Sequence, residues 1–164
     1  MQQHARRPWL GLMGWAAATF ATAAIGSVAS MRAADFYGQL ALPGWAPPAS
    51  VFGPVWTVLY VMMALAAWLV WRHAGWQGAR ASLSLYLVQL VLNALWSCCF
   101  FAWRMGGLAF ADIIALWLLI VAKVIGFWRV RPLAGALLLP YLAWVTFAAF
   151  LNHAAWRMNP QLLG

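Results

Sequence analysis

The stretch that decides the fold is FYGQLALPGWAPPASVFGPVWTVLY, residues 36–60. It holds four prolines and no charged residue, in a chain whose other apolar runs have helical length. Proline lacks a backbone N–H and disfavours the α-helical conformation of the residue before it, so residues 42–48 are not expected to form regular helix. A rigid, apolar, non-helical segment is expected to fold over protein or ligand at a membrane surface. We call residues 36–50 the lid.

The composition of the chain is that of a membrane protein. Hydrophobic residues make up 66% and charged residues 7% of its 164 residues. Too few polar side chains remain to cover a water-facing surface, so we interpret the chain as an integral membrane protein. The formal net charge of +8 could indicate nucleic-acid binding, but the cations are scattered singly between apolar runs. Membrane topology and contact with lipid headgroups explain them better, and no nucleic-acid partner is expected.

Five apolar runs flank the lid, and each is long enough to cross a bilayer, since a spanning helix needs about 20 residues. No linker or second domain separates them, so residues 1–164 are predicted to form a single domain. Its predicted fold is an all-α integral membrane bundle of five transmembrane helices, with the Pro- and Trp-rich lid between helices 1 and 2. The predicted spans are residues 9–30, 51–71, 83–103, 108–128 and 133–156.

The first span carries a small residue at every fourth position. These residues are Gly14, Ala18, Thr22, Gly26 and Ser30. Such a stripe lets another helix approach closely, which makes it a candidate contact surface for a second copy or another membrane protein.

The distribution of cations predicts the orientation in the membrane. The N-terminus and the second and fourth connections share one side, which holds Arg6, Arg7, Arg72, Arg80, Arg129 and Arg131. The opposite side holds Arg32, Arg104 and Arg157. The positive-inside rule therefore places the N-terminus in the cytoplasm, and the lid and C-terminus on the opposite side. We expect the membrane to be a bacterial cell membrane.

Ionisable groups are scarce inside the predicted spans. Lys123 lies near the end of the fourth span, close enough to the interface for its amine to reach the headgroups. The two acidic residues, Asp35 and Asp112, are expected at the periphery. An ion-coupled transporter would need an ionisable group deep in the bundle, so that function is disfavoured. No carboxylate pair, Ser/His/Asp set or metal-spaced cluster is present, so no catalytic or metal-binding residue is predicted.

Aromatic and polar side chains recur at helical spacing on three spans. The second span has Trp56, Tyr60 and Met63, the third has Gln89, Asn93 and Ser97, and the fifth has Tyr141, Trp144, Ala148 and Asn152. Lipid offers polar groups no partner, so these faces are predicted to meet around a flat apolar ligand. From the pattern alone, packing explains Trp56 and Trp144 as well as ligand contact does, and Asn93 could instead bond to a neighbouring helix.

Three motifs identify a resemblance that covers most of the chain. They are PGWAPPASVFGPVWTVLY at 43–60, QLVLNALWS at 89–97 and PYLAWVTFAAFLNHAAWRMN at 140–159. In this order and spacing they resemble the TspO/translocator protein family, also called tryptophan-rich sensory proteins or peripheral-type benzodiazepine receptors. The resemblance implies a five-helix bundle, usually a homodimer, with a ligand pocket beneath the loop between the first two helices.

The family resemblance also implies a function. It implies a membrane receptor, sensor or carrier that binds tetrapyrroles such as protoporphyrin IX or haem, with the porphyrin as ligand and no required cofactor. Two alternatives stay open: light- and oxygen-dependent porphyrin degradation in the same pocket, and a role as a membrane assembly or stability partner. Cholesterol is disfavoured, because His153 replaces the tyrosine of the sterol motif. His153 is expected to be interfacial, with ligation of haem iron as the minor alternative.

Matching the motifs position by position gives eight expected ligand-binding residues. They are Tyr37, Trp45, Trp56, Tyr60, Asn93, Ser97, Trp144 and Ala148. The resemblance implies that Trp56 and Asn93 donate hydrogen bonds to a ligand carbonyl or carboxylate and that Trp144 stacks on the ligand. Ala148 matches a position where a small side chain lets helices pack closely.

Overall fold

The computed structural model describes residues 8–164, and every regular element in that range is helical. Five helices are long and apolar enough to cross a membrane. They are α1 (Pro8–Ala29), α3 (Phe52–Gly78), α4 (Arg80–Ser97), α5 (Gly106–Val130) and α7 (Leu139–Met158). The short helices are α2 (Ala33–Tyr37), α6 (Pro132–Ala136) and α8 (Pro160–Leu163). The predicted fold, an all-α multi-pass membrane bundle with a non-helical lid, is confirmed.

Each predicted span overlaps one long helix, but three helix ends differ from the prediction. The fifth predicted span, residues 133–156, is divided into the short helix α6 and the long helix α7, which begins only at Leu139. Helix α3 continues past residue 71 to Gly78, with a break at Gly75, whose φ of +66° glycine adopts without steric cost. Helix α4 widens into a π-helical turn over Cys98–Ala102, where the Trp103 N–H bonds to the Cys98 carbonyl at 2.8 Å. This wider turn closes the third spanning segment beside the lid.

The helices approach each other closely where glycines remove side chains. Helix α1 packs against α3 and α4, and α5 packs between α4 and α7. A Cβ atom on Gly126 would lie only 2.5 Å from the Ser82 hydroxyl, so a side chain at position 126 of α5 would clash with Ser82 on α4. The buried face of α1 is formed by Trp15, Thr19, Thr22 and Gly26.

Lys123 faces the interior of the bundle and not the lipid headgroups, which the sequence analysis had predicted it would reach. Its side chain is completely buried, and its Nζ atom lies 5.0 Å from the Tyr86 ring centre and 5.1 Å from the Tyr141 ring centre. The prediction that this amine reaches the headgroups is wrong, because position 123 shares the inward face of α5 with Ile120 and Phe127. Position along a helix gives depth in the membrane, but rotation about the helix axis decides whether a side chain faces lipid or protein.

Asp112 also lies inside the bundle. It is 8% exposed, and its Oδ2 atom is buried with no hydrogen-bond partner in the part of the chain that the structure describes. Its assignment to the periphery is therefore wrong. With Lys123 and Asp112 both buried, the absence of deep ionisable groups no longer argues against ion-coupled transport.

Candidate ligand pocket

The lid is held in place by one hydrogen bond within it and by two hydrogen bonds to Asn159 at the end of α7. The Tyr37 hydroxyl donates to the Pro47 carbonyl at 3.0 Å, which ties the end of α2 to the proline segment. The Asn159 side chain accepts from the Ala41 N–H at 2.8 Å and donates to the Ala41 carbonyl at 2.8 Å. Burial raises the pKa of Tyr37 above its ordinary value of 10.0, so the hydroxyl remains a donor at neutral pH. Asn159 was not among the predicted site residues.

A cavity of about 530 Å³ lies beneath the lid, between α1, α3 and the end of α4. We call it the lid pocket. Its aromatic walls are Phe20, Tyr37, Phe52, Trp56, Tyr60, Trp96 and Phe101. Its small and hydroxyl-bearing residues include Ala23, Gly26, Ser27, Ser30, Thr57 and Ser97. No charged residue lines it within the described chain, so the pocket suits an apolar ligand with a few polar groups.

Four of the eight predicted ligand-binding residues line the lid pocket: Tyr37, Trp56, Tyr60 and Ser97. The Trp56 and Tyr60 rings are stacked, with their centres 5.4 Å apart. The indole N–H of Trp56 has no hydrogen-bond partner within residues 8–164. Ser97 faces α1, where a Cβ atom on Gly26 would lie 3.3 Å from its hydroxyl. The indole and the hydroxyl are therefore available to a ligand.

Asn93 lies behind the pocket wall rather than in it. The Tyr60 hydroxyl donates to Asn93 Oδ1 at 2.6 Å, and Asn93 Nδ2 donates to the Tyr141 hydroxyl at 3.1 Å. Asn93 is 3% exposed and is absent from the cavity lining. In this arrangement its amide links α3, α4 and α7 and holds the lining residue Tyr60 in place.

Trp45, Trp144 and Ala148 lie outside the lining of the lid pocket. Trp45 is 52% exposed, and its ring meets Phe147 at 5.7 Å. Trp144 contacts the lining residue Phe52 at 5.9 Å, and its own indole N–H is buried without a partner in the described chain. Trp144 is thus one residue removed from the cavity.

Helix α1 forms one wall of the lid pocket. The sequence pattern did not predict this wall. The predicted cavity was built from the second, third and fifth spans, yet α7, the fifth span, contributes no lining residue. Gly26 and Ser30 belong to the small-residue stripe of the first span, and both line the pocket. That stripe was the available signal, although its pattern does not distinguish a cavity wall from a helix contact.

A second cavity of about 470 Å³ lies on the outer face of the bundle, between α5 and α7. We call it the outer groove. Its lining includes Phe110, Trp117, Thr146, Phe150 and His153. The Trp117 indole donates to the Thr146 hydroxyl at 2.8 Å, which leaves the groove walls without a free polar group at that position. His153 packs 5.0 Å from the Phe110 ring, and no cluster of three metal-ligating side chains occurs within residues 8–164.

The fold and the pocket define a multi-pass α-helical membrane protein with an aromatic cavity beneath an ordered lid. The sequence model of the TspO/MBR family matches residues 6–157, and the chain belongs to this family. It is 37% identical over 155 residues to the translocator protein of Homo sapiens, covering 93% of this chain and 92% of that one.

Bacterial relatives are equally similar. The tryptophan-rich protein TspO of Chlorobaculum tepidum is 39% identical over 127 residues, covering 76% of this chain and 80% of the relative. The tryptophan-rich sensory protein of Cereibacter sphaeroides is 36% identical over 151 residues, covering 92% of each chain.

Proposed function

We propose that this protein is a membrane receptor, sensor or carrier that binds a tetrapyrrole, protoporphyrin IX or a haem-like porphyrin, in the lid pocket. The observation that carries the proposal is the aromatic cavity of about 530 Å³ under a hydrogen-bonded lid. This volume lies within the range of about 300–1,000 Å³ that is usual for small-molecule pockets. The apolar walls would bury the flat face of the macrocycle.

The polar groups of the lid pocket are suited to orienting such a ligand. A porphyrin carries a planar apolar ring and two carboxylates, so it needs aromatic surface and a few hydrogen-bond donors. Trp56 and Trp96 supply indole surface, and the unpartnered Trp56 N–H and the Ser97 hydroxyl supply donors. A charge-assisted hydrogen bond from an indole to a carboxylate would be stronger than one to a neutral acceptor.

We place the protein in a bacterial cell membrane, with the N-terminus in the cytoplasm and the lid on the opposite side. Within the described chain, Arg72, Arg80, Arg129 and Arg131 lie at the helix ends that share the side of the α1 N-terminus. Arg6 and Arg7, which also support this orientation, lie outside the described residues. The positive-inside rule carries the assignment. Labelling of single cysteines placed in the lid and in the α3–α4 connection would test it.

The binding proposal is tested by titrating the detergent-purified protein with protoporphyrin IX in the dark. The wild type is expected to bind saturably at one site per chain. Trp56→Phe keeps an aromatic wall but removes the donor, so it should weaken binding about tenfold. Trp144→Phe is the matched control, because that indole lies outside the lining, and its affinity should equal the wild type. The readout is quenching of tryptophan fluorescence by the added porphyrin. Equal quenching that does not saturate in any of the three proteins would show that porphyrin only partitions into micelles, and would refute the proposal.

Light-dependent degradation of the bound porphyrin is the second candidate. It is favoured by the oxidisable side chains Trp56, Tyr60 and Trp96 in the lining of the lid pocket. Illumination of the same samples in air tests it. Loss of the porphyrin Soret band with the wild type, but not with Trp56→Phe at saturating porphyrin, would support degradation. Equal bleaching in buffer containing detergent alone would contradict it.

A further inference from the structure

The lid pocket is not enclosed on every side. Four of its lining residues are exposed on the outer surface of the bundle: Phe20 and Ser27 on α1, and Gly53 and Thr57 on α3. Phe20 is 44% exposed, whereas Tyr60, on the inner wall of the pocket, is only 8% exposed. The cavity therefore opens sideways between α1 and α3. We call this gap, bounded by the four exposed residues, the lateral opening.

The lateral opening lies within the part of the bundle that can cross a membrane. Both α1 and the segment Ala49–Gly78 are long and apolar enough to span it. Phe20 follows Pro8 by twelve positions, which is about 18 Å along a helix of about 33 Å. The hydrocarbon core of a bilayer is about 30 Å thick, so Phe20 lies near its middle. The opening therefore faces lipid acyl chains and not water.

Helices α1 and α3 are in close contact only at the end away from the lid. There the Trp68 indole donates to the Pro8 carbonyl at 2.8 Å, and a Cβ atom on Gly11 would overlap the Trp71 ring. At the lateral opening, a Cβ atom on Gly53 would meet no described atom within 4 Å. The two helices therefore separate toward the lid and leave a gap between them.

The edges of the lateral opening are suited to the passage of an apolar ring. The Thr57 hydroxyl donates to the Gly53 carbonyl at 2.9 Å, so it is satisfied within its own helix and can face lipid at little cost. No charged residue lines the pocket within the described chain, so no ion has to be moved or desolvated when a ligand enters. The Phe20 ring supplies aromatic surface at the edge itself.

We propose that the lateral opening is the entrance of the lid pocket for ligands dissolved in the bilayer, which pass directly between α1 and α3. The inference rests on the proposed function, since it concerns the ligand of the same pocket. It defines the ligand class as a flat, apolar molecule that partitions into the hydrocarbon core before it binds. The lid covers the pocket on the side of the water, so opening of the lid is a separate route.

The test covers the lateral opening from outside the pocket. Ala24 is exposed, does not line the pocket, and lies one helical turn from both Phe20 and Ser27. Ala24→Trp is therefore expected to place an indole across the gap. Ile25→Trp is the matched control at the same depth, because Ile25 is 55% exposed, lies outside the lining and points about 100° away around the helix.

The measurement is stopped-flow association and dissociation of protoporphyrin IX with the protein in phosphatidylcholine vesicles. We expect Ala24→Trp to lower both rate constants at least about fivefold and to leave the Kd within about twofold, because an obstacle on the route slows entry and exit alike. Both rate constants of Ile25→Trp should equal those of the wild type.

The outcomes separate the entrance from the proposed function. Rate constants of Ala24→Trp equal to the wild type overturn the lateral entrance while leaving the pocket in place. An equal fall in both variants assigns the effect to added bulk on α1 and also overturns it. Absence of saturable binding to the wild type refutes the pocket and the entrance together. If Ala24→Trp does not fold or changes the affinity, a second measurement on the wild type decides.

That measurement uses a ligand anchored in the bilayer. The probe is protoporphyrin IX joined through one carboxylate, as an amide, to the end of a phospholipid acyl chain. The butyl amide of protoporphyrin IX is the control, because it has the same linkage and no anchor. Binding of both probes that free protoporphyrin IX displaces supports the lateral entrance, since the anchored ring reaches the pocket from the bilayer. Displaceable binding of the butyl amide alone overturns it.

Discussion

The lid pocket and the outer groove have similar volumes, about 530 Å³ and 470 Å³, but different walls. The lid pocket keeps polar groups free for a ligand, among them the Trp56 indole. In the outer groove the indole of Trp117 is already bonded to Thr146. The groove also carries Phe150, which is 68% exposed on the outer surface. Volume alone therefore does not distinguish a ligand-binding site from a groove between two helices.

The difference lies in what competes for each cavity. Apart from Thr146 and His153, the side chains that line the outer groove are apolar. Lipid tails are equally apolar, so a tail fills that groove at little cost in free energy. The lid covers the lid pocket; Asn159 bonds the lid to the end of α7, and the bond from Tyr37 to Pro47 stabilises the conformation of the lid itself. A ligand there gains aromatic contact and hydrogen bonds that lipid does not provide. This difference supports the proposal that the ligand binds in the lid pocket and that the outer groove contacts lipid.

The largest expected change in porphyrin affinity comes from filling each cavity in turn with a bulky side chain. Ala23 lines the lid pocket and Ile114 lines the outer groove. Ala23→Phe places a ring in the space for the ligand, so porphyrin affinity should fall by at least about tenfold. Ile114→Trp adds comparable bulk on the lipid side and should leave affinity unchanged. The measurement is equilibrium titration with protoporphyrin IX.

The opposite result would reverse the assignment. If Ile114→Trp weakened binding and Ala23→Phe did not, the outer groove would be the porphyrin site. Thermal unfolding of both variants serves as the folding control, because a bulky substitution in a closely packed bundle also lowers stability.

Loosening the lid is the second way to sharpen the comparison. Asn159→Ala removes the two bonds to Ala41 and the bond to the Ala155 carbonyl at 2.8 Å. Each such bond contributes about 0.5–1.5 kcal/mol, so the lid should open more often and porphyrin should dissociate several-fold faster. Stopped-flow displacement measures the dissociation rate, and limited proteolysis reports lid opening.

A near-isosteric change separates hydrogen bonding from packing at this position. Asn159→Asp keeps the shape and the acceptor but loses both donations from Nδ2, so its lid should loosen as well. A dissociation rate equal to the wild type in both variants would show that the lid does not control ligand exit.

The fold was predictable because it follows from local properties of the sequence. Runs of apolar residues of spanning length fix five helices, and the prolines of residues 43–48 prevent the lid from continuing as helix. The extension of α3 to Gly78 was not predicted, because Arg72 and the residues after it read as an exit from the membrane. Helical hydrogen bonding also continues in water, so charge at a membrane boundary does not end a helix.

The residues of the lid pocket were predictable only where they belong to one of the three sequence motifs and also face the interior of the bundle. Trp56 and Tyr60 share one face of α3, and both line the pocket. The wall from α1 was missed because nearly every residue of that helix is apolar, so its rotation about its axis leaves no clear pattern. Lys123 was misplaced for the same reason. The bond between Asn159 and Ala41 joins residues 118 positions apart, which no local pattern predicts.

The smallest expected effect concerns the pH dependence of the lid. Burial raises the pKa of Tyr37 above its ordinary 10.0. Its bond to Pro47 is therefore fully present below about pH 10 and is lost as the pH rises through the raised value, because a phenolate cannot donate. Porphyrin dissociation should stay constant from about pH 7 to 10 and accelerate about two- to fivefold above that range. Tyr37→Phe should dissociate faster at neutral pH and lose this acceleration. An acceleration that persists in Tyr37→Phe would assign the titration to a group outside the lid.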